Sequence, residues 1–385
     1  MLAQWTLCFG RSRRPRPLFP TRPYLLHPWS RASRDTRTSL CVAALGLLPG
    51  AGSSCYYSGS MSTRHALLKL LADGAFHSGP ALGERLGVSR AAVNKAIQAL
   101  AESGADIHRV SGRGYRLGEP FVPLSEAAIG ALLAERQVRA KVEVFDELDS
   151  TNQQLLRTPD LSSGHVCLAE AQSAGRGRRG RGWVATPCHN LLMSMSWRFE
   201  TGPAGLAGLS LAAGVAVLRA LDEFGVCDVG LKWPNDILRD GRKLAGLLID
   251  LRGEASGPSL AVLGLGLNVH LAPGDAAHID QPWSSLRDSL PAPVDRNRLA
   301  GLLIFHLGDM LRVFERNGFE NYRAEWERRH LYAGQAVRLQ SGQEQVSGTV
   351  EGIDAHGGLR VRLADGELRT FHSGDVSLRA AHGMA

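Results

Sequence analysis

Between two apolar stretches the chain runs Gln172-Ser-Ala-Gly-Arg-Gly-Arg-Arg-Gly-Arg-Gly-Trp183, in which Arg176, Arg178, Arg179 and Arg181 are spaced by Gly175, Gly177, Gly180 and Gly182. Neither a helix nor a strand tolerates that density of glycine, so any fold must place a loop here. Glycine lets the backbone approach a ligand closely, and guanidinium forks bind phosphate or carboxylate bidentately. A polyanion such as ATP is the natural partner. Gly175-x-Gly177-x-x-Gly180 formally matches the dinucleotide fingerprint, but the Trp-Val-Ala-Thr-Pro that follows does not open a helix, and no GxxxxGK[ST] is present. Taken alone, the segment leaves open a flexible basic loop that touches nucleic acid or nothing.

The loop sits in a region, residues 120–330, where short apolar strands alternate with helices. The periodicities predict strands at Val142–Phe145, Val166–Gln172, Leu191–Phe199, Val229–Trp233, Leu244–Leu251 and Leu260–Val269. They predict helices at Ser125–Arg136, Asn152–Leu156, Leu206–Phe224 and Arg296–Asn317, of which Leu206–Phe224 is apolar almost all round and belongs against a sheet. The order is too irregular for a βαβ repeat and fits an α+β or mixed α/β layer fold. Polar groups collect at the strand ends: Lys232-Trp-Pro-Asn-Asp236, Lys243 within Gly241-Arg-Lys-Leu-Ala-Gly246, Asn268 after an apolar run, and Ser150-Thr-Asn152 where a strand yields to a helix. Individually these read as a surface lysine, a turn and an N-cap. Together they suit a ligand cleft.

Upstream, residues 62–118 read as a small helical domain. A short helix at Arg64–Leu71 and a two-turn helix between Ser78 and Gly87 precede a longer one, Arg90–Ser103, capped by Ser89. Val93, Ile97 and Leu100 bury one side of it, while Arg90, Asn94, Lys95 and Gln98 face the other way and suit base edges and phosphates. Asp106–Leu117 reads as a hairpin turning at Ser111–Gly114, with Arg109, Arg113 and Arg116 along a basic wing. Helix, turn, helix and wing point to DNA, against the bland reading of a solvated polar face. Downstream, residues 331–380 show short strands (Val337–Leu339, Gln345–Ile353, Leu359–Leu363, Leu368–Phe371) divided by glycine turns, the pattern of a small β-barrel.

The net charge of +7 says nothing about the folded body: residues 1–60 carry eight arginines, no lysine and one acid, Asp35, and the remainder is neutral. That leader mimics a transit peptide but is read here as disordered and possibly not translated, with the start at Met61. Cys8, Cys41, Cys55, Cys167, Cys188 and Cys227 form no CxxC pair and show no metal-ligand spacing, so reduced thiols in a cytoplasmic protein are expected, with neither a disulfide framework nor a metal site. No apolar run approaches the roughly 18 residues of a spanning helix, and no membrane partner is expected.

Ser150-Thr-Asn-Gln, the Gly-Arg-Gly-Arg-Arg-Gly loop, Lys-Trp-Pro-Asn-Asp and Gly-Arg-Lys-Leu-Ala-Gly occur in the order and at the spacing of biotin–protein ligases. The chain resembles the bifunctional bacterial type, the biotin-operon repressors, from about Arg64 to about Arg379. The resemblance implies a winged helix-turn-helix, a class II synthetase-like α+β domain and an SH3-like C-terminal barrel. It implies that Ser150, Thr151, Asn152, Gln172, Gly175, Arg176, Gly177, Arg178, Lys243 and Gly246 surround biotin, with Lys243, Arg178 and Arg176 at the reacting groups. Arg178, Arg179, Arg181, Lys232, Asn235, Asp236 and Asn268 would serve ATP, with Trp283 covering the adenine. Ser89, Arg90, Asn94, Lys95, Gln98 and Arg113 would meet operator DNA. Biotin, ATP and Mg²⁺, a biotin-accepting carboxylase subunit, and a ligand-promoted homodimer complete the implied set. Three alternatives stay open: a ligase whose winged helix has no regulatory role, a DNA-binding sensor of biotinyl-AMP that does not transfer it, and a lipoyl or octanoyl transferase.

Overall fold

The structure, a computed structural model, describes residues 63–102, 105–291, 293–341, 344–372 and 376–380, all within one compact unit, Gly59–Ala385. The readings of residues 1–60, of the start at Met61 and of a helix end at Ser103 lie outside the described residues.

The chain opens with three helices, α1 (Thr63–Leu71), α2 (Gly79–Leu86) and α3 (Arg90–Glu102), followed by a hairpin of β1 (Ile107–Val110) and β2 (Gly114–Leu117). Ser78 caps α2 through a bond from the Ala81 amide, and Gly87 ends it in the left-handed conformation. The Ser89 hydroxyl caps α3. His77 and Tyr115 exchange both backbone hydrogen bonds, an antiparallel bridge that lays a third segment alongside the wing. Leu67, Leu71, Leu82, Val93, Ile97, Leu100 and Leu117 form the core of this domain, and Cys188 from the next domain packs into it.

Next come α4 (Glu126–Glu135), β3 (Lys141–Leu148), α5 (Thr151–Arg157), β4 (His165–Gln172), β5 (Leu191–Phe199), α6 (Leu209–Phe224), β6 (Val229–Lys232), β7 (Asp236–Arg239), β8 (Arg242–Gly253), β9 (Ser259–Leu267), α7 (Pro273–Ala276), α8 (Arg296–Asn317) and α9 (Glu320–Arg329). The strands form a seven-stranded mixed sheet in the order β3-β4-β5-β9-β8-β7-β6, with β3 and β4 parallel and the other neighbours antiparallel. Several elements depart from the expectations, the short α7 among them. α6 starts at Leu209, after Gly208 at φ 80, and Pro203–Leu206 form a separate 3₁₀ turn. The strand β7 and the helix α9 carry no sequence signal strong enough to be expected. Pro203–Phe224 is also long and apolar enough to cross a membrane by composition, contrary to the expectation of no such segment. It is a core segment: 67% of the apolar window is buried by protein.

Strand alternation gives the sheet two different faces. Leu191, Met193 and Met195 of β5 and Leu263 and Leu265 of β9 point into the main core with α6 and α8. Cys167 of β4 and Val262 of β9 point the other way, under Leu155 and Leu156 of α5. Ser194 lies under Thr151 and Asn152 of α5, and beyond it that second face is built from Gly246, Gly264 and Gly266, residues too small to fill it, so it stays open.

The linker into this domain is clamped from beneath. Arg296, at the start of α8, donates to the Val122 and Asn190 carbonyls and pairs with Glu170 at 2.8 Å, with side chains 1% and 0% exposed. Glu170 in turn accepts the Leu124 amide at 2.7 Å. The ion pair and the bonds to Val122, Asn190 and Leu124 offset the cost of burying both charges, although Glu170 Oε2 has only its ion pair and no hydrogen bond among the described residues.

The C-terminal segment, β10 (Ala336–Ser341), β11 (Glu344–Ile353), β12 (Leu359–Leu363), β13 (Leu368–Phe371) and β14 (Val376–Ala380), forms a five-stranded antiparallel sheet in the order β13-β12-β11-β10-β14. It is tied to the central domain where the Trp233 indole donates to the Gly357 carbonyl at 3.1 Å.

Candidate functional site

The open face of the sheet forms a cleft of about 310 Å³. Ser150, Thr151, Asn152, Gln172, Arg176, Gly177, Arg178, Arg181, Asn235, Lys243, Gly246, Asn268 and Trp283 all line it, bringing together residues that span more than a hundred positions of chain. Four site residues expected from the sequence do not reach its wall. Gly175 lies in the loop backbone beside Trp183, and Arg179 occupies a tight turn at φ 59. Lys232 and Asp236 sit behind the wall, where Asp236 accepts an ion pair from Lys243 at 2.8 Å and a longer one from Lys232 at 3.9 Å.

One end of the cleft is a fixed polar network. The Gln172 carbonyl oxygen accepts the Thr151 amide at 2.7 Å and the Thr151 hydroxyl at 3.2 Å. The Ser194 hydroxyl lies 2.7 Å from the Thr151 hydroxyl and 2.5 Å from the Asn152 side-chain oxygen, with one proton to share between them. Asn152 donates onward to Asp250 at 2.9 Å. Ser150 stands at the N-cap of α5 but makes no capping hydrogen bond with its hydroxyl, so the cap alone does not account for it. A rigid set of donors and acceptors of this kind selects a small polar head group by complementarity.

The other end is cationic. Arg178 reaches the Asn235 side chain at 3.2 Å, Arg176 leans toward Asp250 at 3.4 to 3.5 Å, and Lys243 projects from the start of β8. The loop closes on itself through Gly177–Arg181 and Trp183–Gly175 backbone bonds. Asn268 gives its amide to the Lys243 and Ser284 carbonyls, and its side-chain oxygen is buried with no partner among the described residues.

Trp183 was not singled out by the sequence, and it forms the cleft floor. Its ring rests where a Cβ on Gly266 or Gly246 would stand, with the Lys243 ammonium 5.4 Å from the ring centre. Ser194, Leu248, Gly264, Gly266, His278 and Gln281 were missed as well. The signal that could have found the floor is Gly264-Leu-Gly266: glycine at alternate positions of an apolar strand leaves one face bare.

On the winged helix, Arg90, Asn94, Lys95, Gln98 and Arg113 are exposed, as is Ser89. Several are already engaged: Asn94 accepts a bond from the Tyr115 hydroxyl, Gln98 donates to Glu102 at 3.0 Å, and Arg113 lies 4.4 Å from the centre of the Phe76 ring. Among the described residues nothing accepts the Asn94 amide hydrogens.

A cationic cleft with a fixed polar head-group end, coupled to a helix-turn-helix with a wing, defines a ligand-binding protein with a DNA-reading domain. Comparison with known proteins narrows this class. Residues 144–268 match the Biotin/lipoate A/B protein ligase family, 332–379 the Biotin protein ligase C terminal domain, and 63–116 an HTH domain. The chain is 42% identical over 316 residues to the Bifunctional ligase/repressor BirA of Salmonella typhimurium and 41% identical to that of Escherichia coli K12, in each case over 82% of this chain and 97% of the relative. A biotin protein ligase from Aquifex aeolicus, solved with biotin and ATP, superposes with a TM-score of 0.54 at 26% identity, over 63% of this chain and 99% of that one. The chain therefore belongs to the biotin–protein ligase family, in its bifunctional ligase/repressor group.

Proposed function

We propose that the protein activates biotin with ATP to biotinyl-5′-AMP, transfers the biotinyl group to a lysine of a carboxyl carrier protein, and represses transcription at an operator when it holds the adenylate. The observation that carries the ligase reading is that one cleft holds the polar network of Ser150, Thr151, Asn152 and Gln172 at one end and Lys243 with Arg178 and Arg181 at the other, while Arg176 reaches Asp250 beside Asn152. Biotin has the same two ends, an uncharged polar ring and a carboxylate.

Ser150, Thr151, Asn152 and Gln172 would hold the ring system, with Trp183 as its floor and the buried Ser194 positioning Thr151 and Asn152 from beneath. Lys243 would exchange Asp236 for the reacting carboxylate, and Arg176 and Arg178 would close over it, stabilising charge as the carboxylate attacks the α-phosphorus and pyrophosphate departs. Arg178, Arg181, Asn235 and Asn268 would face the phosphates, and Trp283 the adenine. The acceptor lysine then attacks the acyl carbon and AMP leaves. No protein nucleophile is needed, and burial pushes the Cys167 and Cys188 thiols well above the usual range, where thiolate is scarce.

No group of three or more His, Cys, Asp or Glu side chains stands ready for a metal among the described residues. The unpartnered Asn268 oxygen, on the cleft wall, fits a magnesium ion held chiefly by phosphate oxygens, whereas the Asp236 carboxylate is taken by Lys243 and Lys232. When bound, magnesium neutralises the triphosphate.

Operator contact would fall to Ser89, Arg90, Asn94, Lys95, Gln98 and Arg113, by a homodimer that the adenylate favours, acting in the cytoplasm. Residues 62–118 would read DNA, 120–330 carry the chemistry and 331–380 engage ATP and the acceptor. The decisive experiment is biotin transfer from biotin and ATP onto a carboxyl carrier domain, using protein from Met61 onward. Transfer is expected. Folded protein that binds biotin but transfers none would favour a non-transferring sensor, and operator binding indifferent to biotin plus ATP would remove the regulatory half.

A further inference from the structure

Two loops cover the cleft, and they meet at a residue outside it. The arginine loop runs through Trp183 into Val184–Asn190, which leads down to the interface with the winged helix. The second segment, 271–283, carries α7 and then His278, Gln281 and Trp283 on the nucleotide side of the cleft. Its far end is fixed by backbone bonds between Lys243 and Pro282 and between Ser284 and Lys243. Its near end is held by Thr186. The Thr186 hydroxyl, on a side chain only 3% exposed, donates to Asp275 at 2.6 Å and accepts the Ala272 amide at 2.9 Å. The arginine side has supports of its own, with the Trp183 ring seated on Gly266 and the Cys188 amide bonded to Glu170.

We propose that Thr186 is a positioning residue for the nucleotide half of the cleft: its one hydroxyl bonds both the entry and the helix of segment 271–283 and registers that segment against the arginine loop. The hydroxyl gives its one proton to a carboxylate and accepts an amide on a lone pair, which fixes its rotamer and the separation of the two loops. Without it, the segment would still be anchored at Pro282 and, just before its entry, by the His270 amide on the His189 carbonyl, but α7 would lose its only side-chain tie to the arginine loop among the described residues. The loss would fall on the nucleotide, because the polar network that faces biotin makes no contact with Thr186. The inference rests on reading this cleft as the biotin and ATP site.

The test is biotin-dependent exchange of pyrophosphate into ATP by the full chain, together with calorimetric biotin binding in the absence of ATP. Thr186→Val keeps the shape and removes both bonds. We expect the KM for ATP to rise roughly five- to tenfold, the size of one or two lost hydrogen bonds, with kcat and the biotin Kd within about twofold of native. Thr186→Ser should restore the native KM, which a purely steric role would not predict. Asp275→Ala should raise it about threefold and add nothing on top of Thr186→Val. A KM for ATP within twofold of native in Thr186→Val overturns the proposal. So does a parallel loss of biotin and ATP affinity that serine does not rescue. Should Thr186→Val fail to fold, Asp275→Ala decides, and an unchanged KM for ATP overturns the proposal. A native chain that shows no biotin-dependent exchange overturns the reading of the cleft and this inference with it, whereas active native protein matched by its variants overturns the inference alone.

Discussion

Gly266→Ala tests whether the floor of the cleft is as tightly constructed as it looks. A Cβ at this position would stand 2.4, 2.7 and 2.8 Å from three carbons of the Trp183 indole. Ordinary carbon contacts begin near 3.5 Å, so the ring must retreat by about 1 Å. The strand cannot yield instead, because Gly266 is paired on both sides, with Leu192 of β5 and Gly246 of β8. The indole therefore moves outward, into the volume a ligand would occupy and away from its place beneath Lys243. Overpacking of this kind costs about 1–3 kcal/mol. Charged to binding, that is a Kd for biotin raised about five- to 150-fold. Calorimetric titration with biotin measures it, and Gly257→Ala is the control: its nearest neighbour, the Glu254 Cβ, is at an ordinary 3.4 Å. A Gly266→Ala variant that binds biotin within twofold of native would refute the placement of Trp183 as the floor.

Other outcomes follow from single residues. Lys243→Ala should slow adenylate formation by about two orders of magnitude or more, measured as biotin-dependent pyrophosphate exchange, and a near-normal rate would remove this lysine from the chemistry. Arg296→Met leaves the Glu170 carboxylate buried without its cation and should cost about 3–5 kcal/mol in urea unfolding; a loss below 1 kcal/mol would mean the pair is not the clamp described. His330 is stacked on Trp326 at 4.4 Å and burial lowers its pKa to about 4, so the folded state resists the proton that the unfolded chain accepts near 6.5. Stability should therefore fall as pH drops from 6.5 toward 4, by about 2–3 kcal/mol at pH 4.5 from this group. His330→Phe should flatten that part of the profile, and an unchanged slope would assign it elsewhere. Alkylation of the native protein mapped by mass spectrometry should mark exposed Cys227 and spare Cys167 and Cys188, with turnover intact after Cys227 is modified. Loss of turnover on that modification would reopen the case for a thiol in the reaction.

Local physics decided much of this protein in advance. The caps at Ser78 and Ser89, the glycine that ends α2 and the span of α8 are settled by nearest-neighbour hydrogen bonds and by a 3.6-residue period, so they can be read from a few consecutive residues. The arginine loop was legible for a similar reason: alternating glycine and arginine admits few conformations and few partners. The cleft needed the sheet. Only the pairing of β5 with β9 and β9 with β8 brings Gly264, Gly266 and Gly246 onto one bare face beside Ser194, and only the packing of the loop sends Trp183 across it. Asp236 turned from an expected cleft residue into the hidden partner of Lys243 because the β7–β8 hairpin puts its carboxylate behind the wall. The strand β7 is four residues long and α9 is dominated by charge, so neither shows its burial until tertiary contacts supply it. Sequence fixes what each segment can do by itself. Which residues come to share one small volume is a long-range property, decided by pairings tens to hundreds of residues apart that no local pattern records.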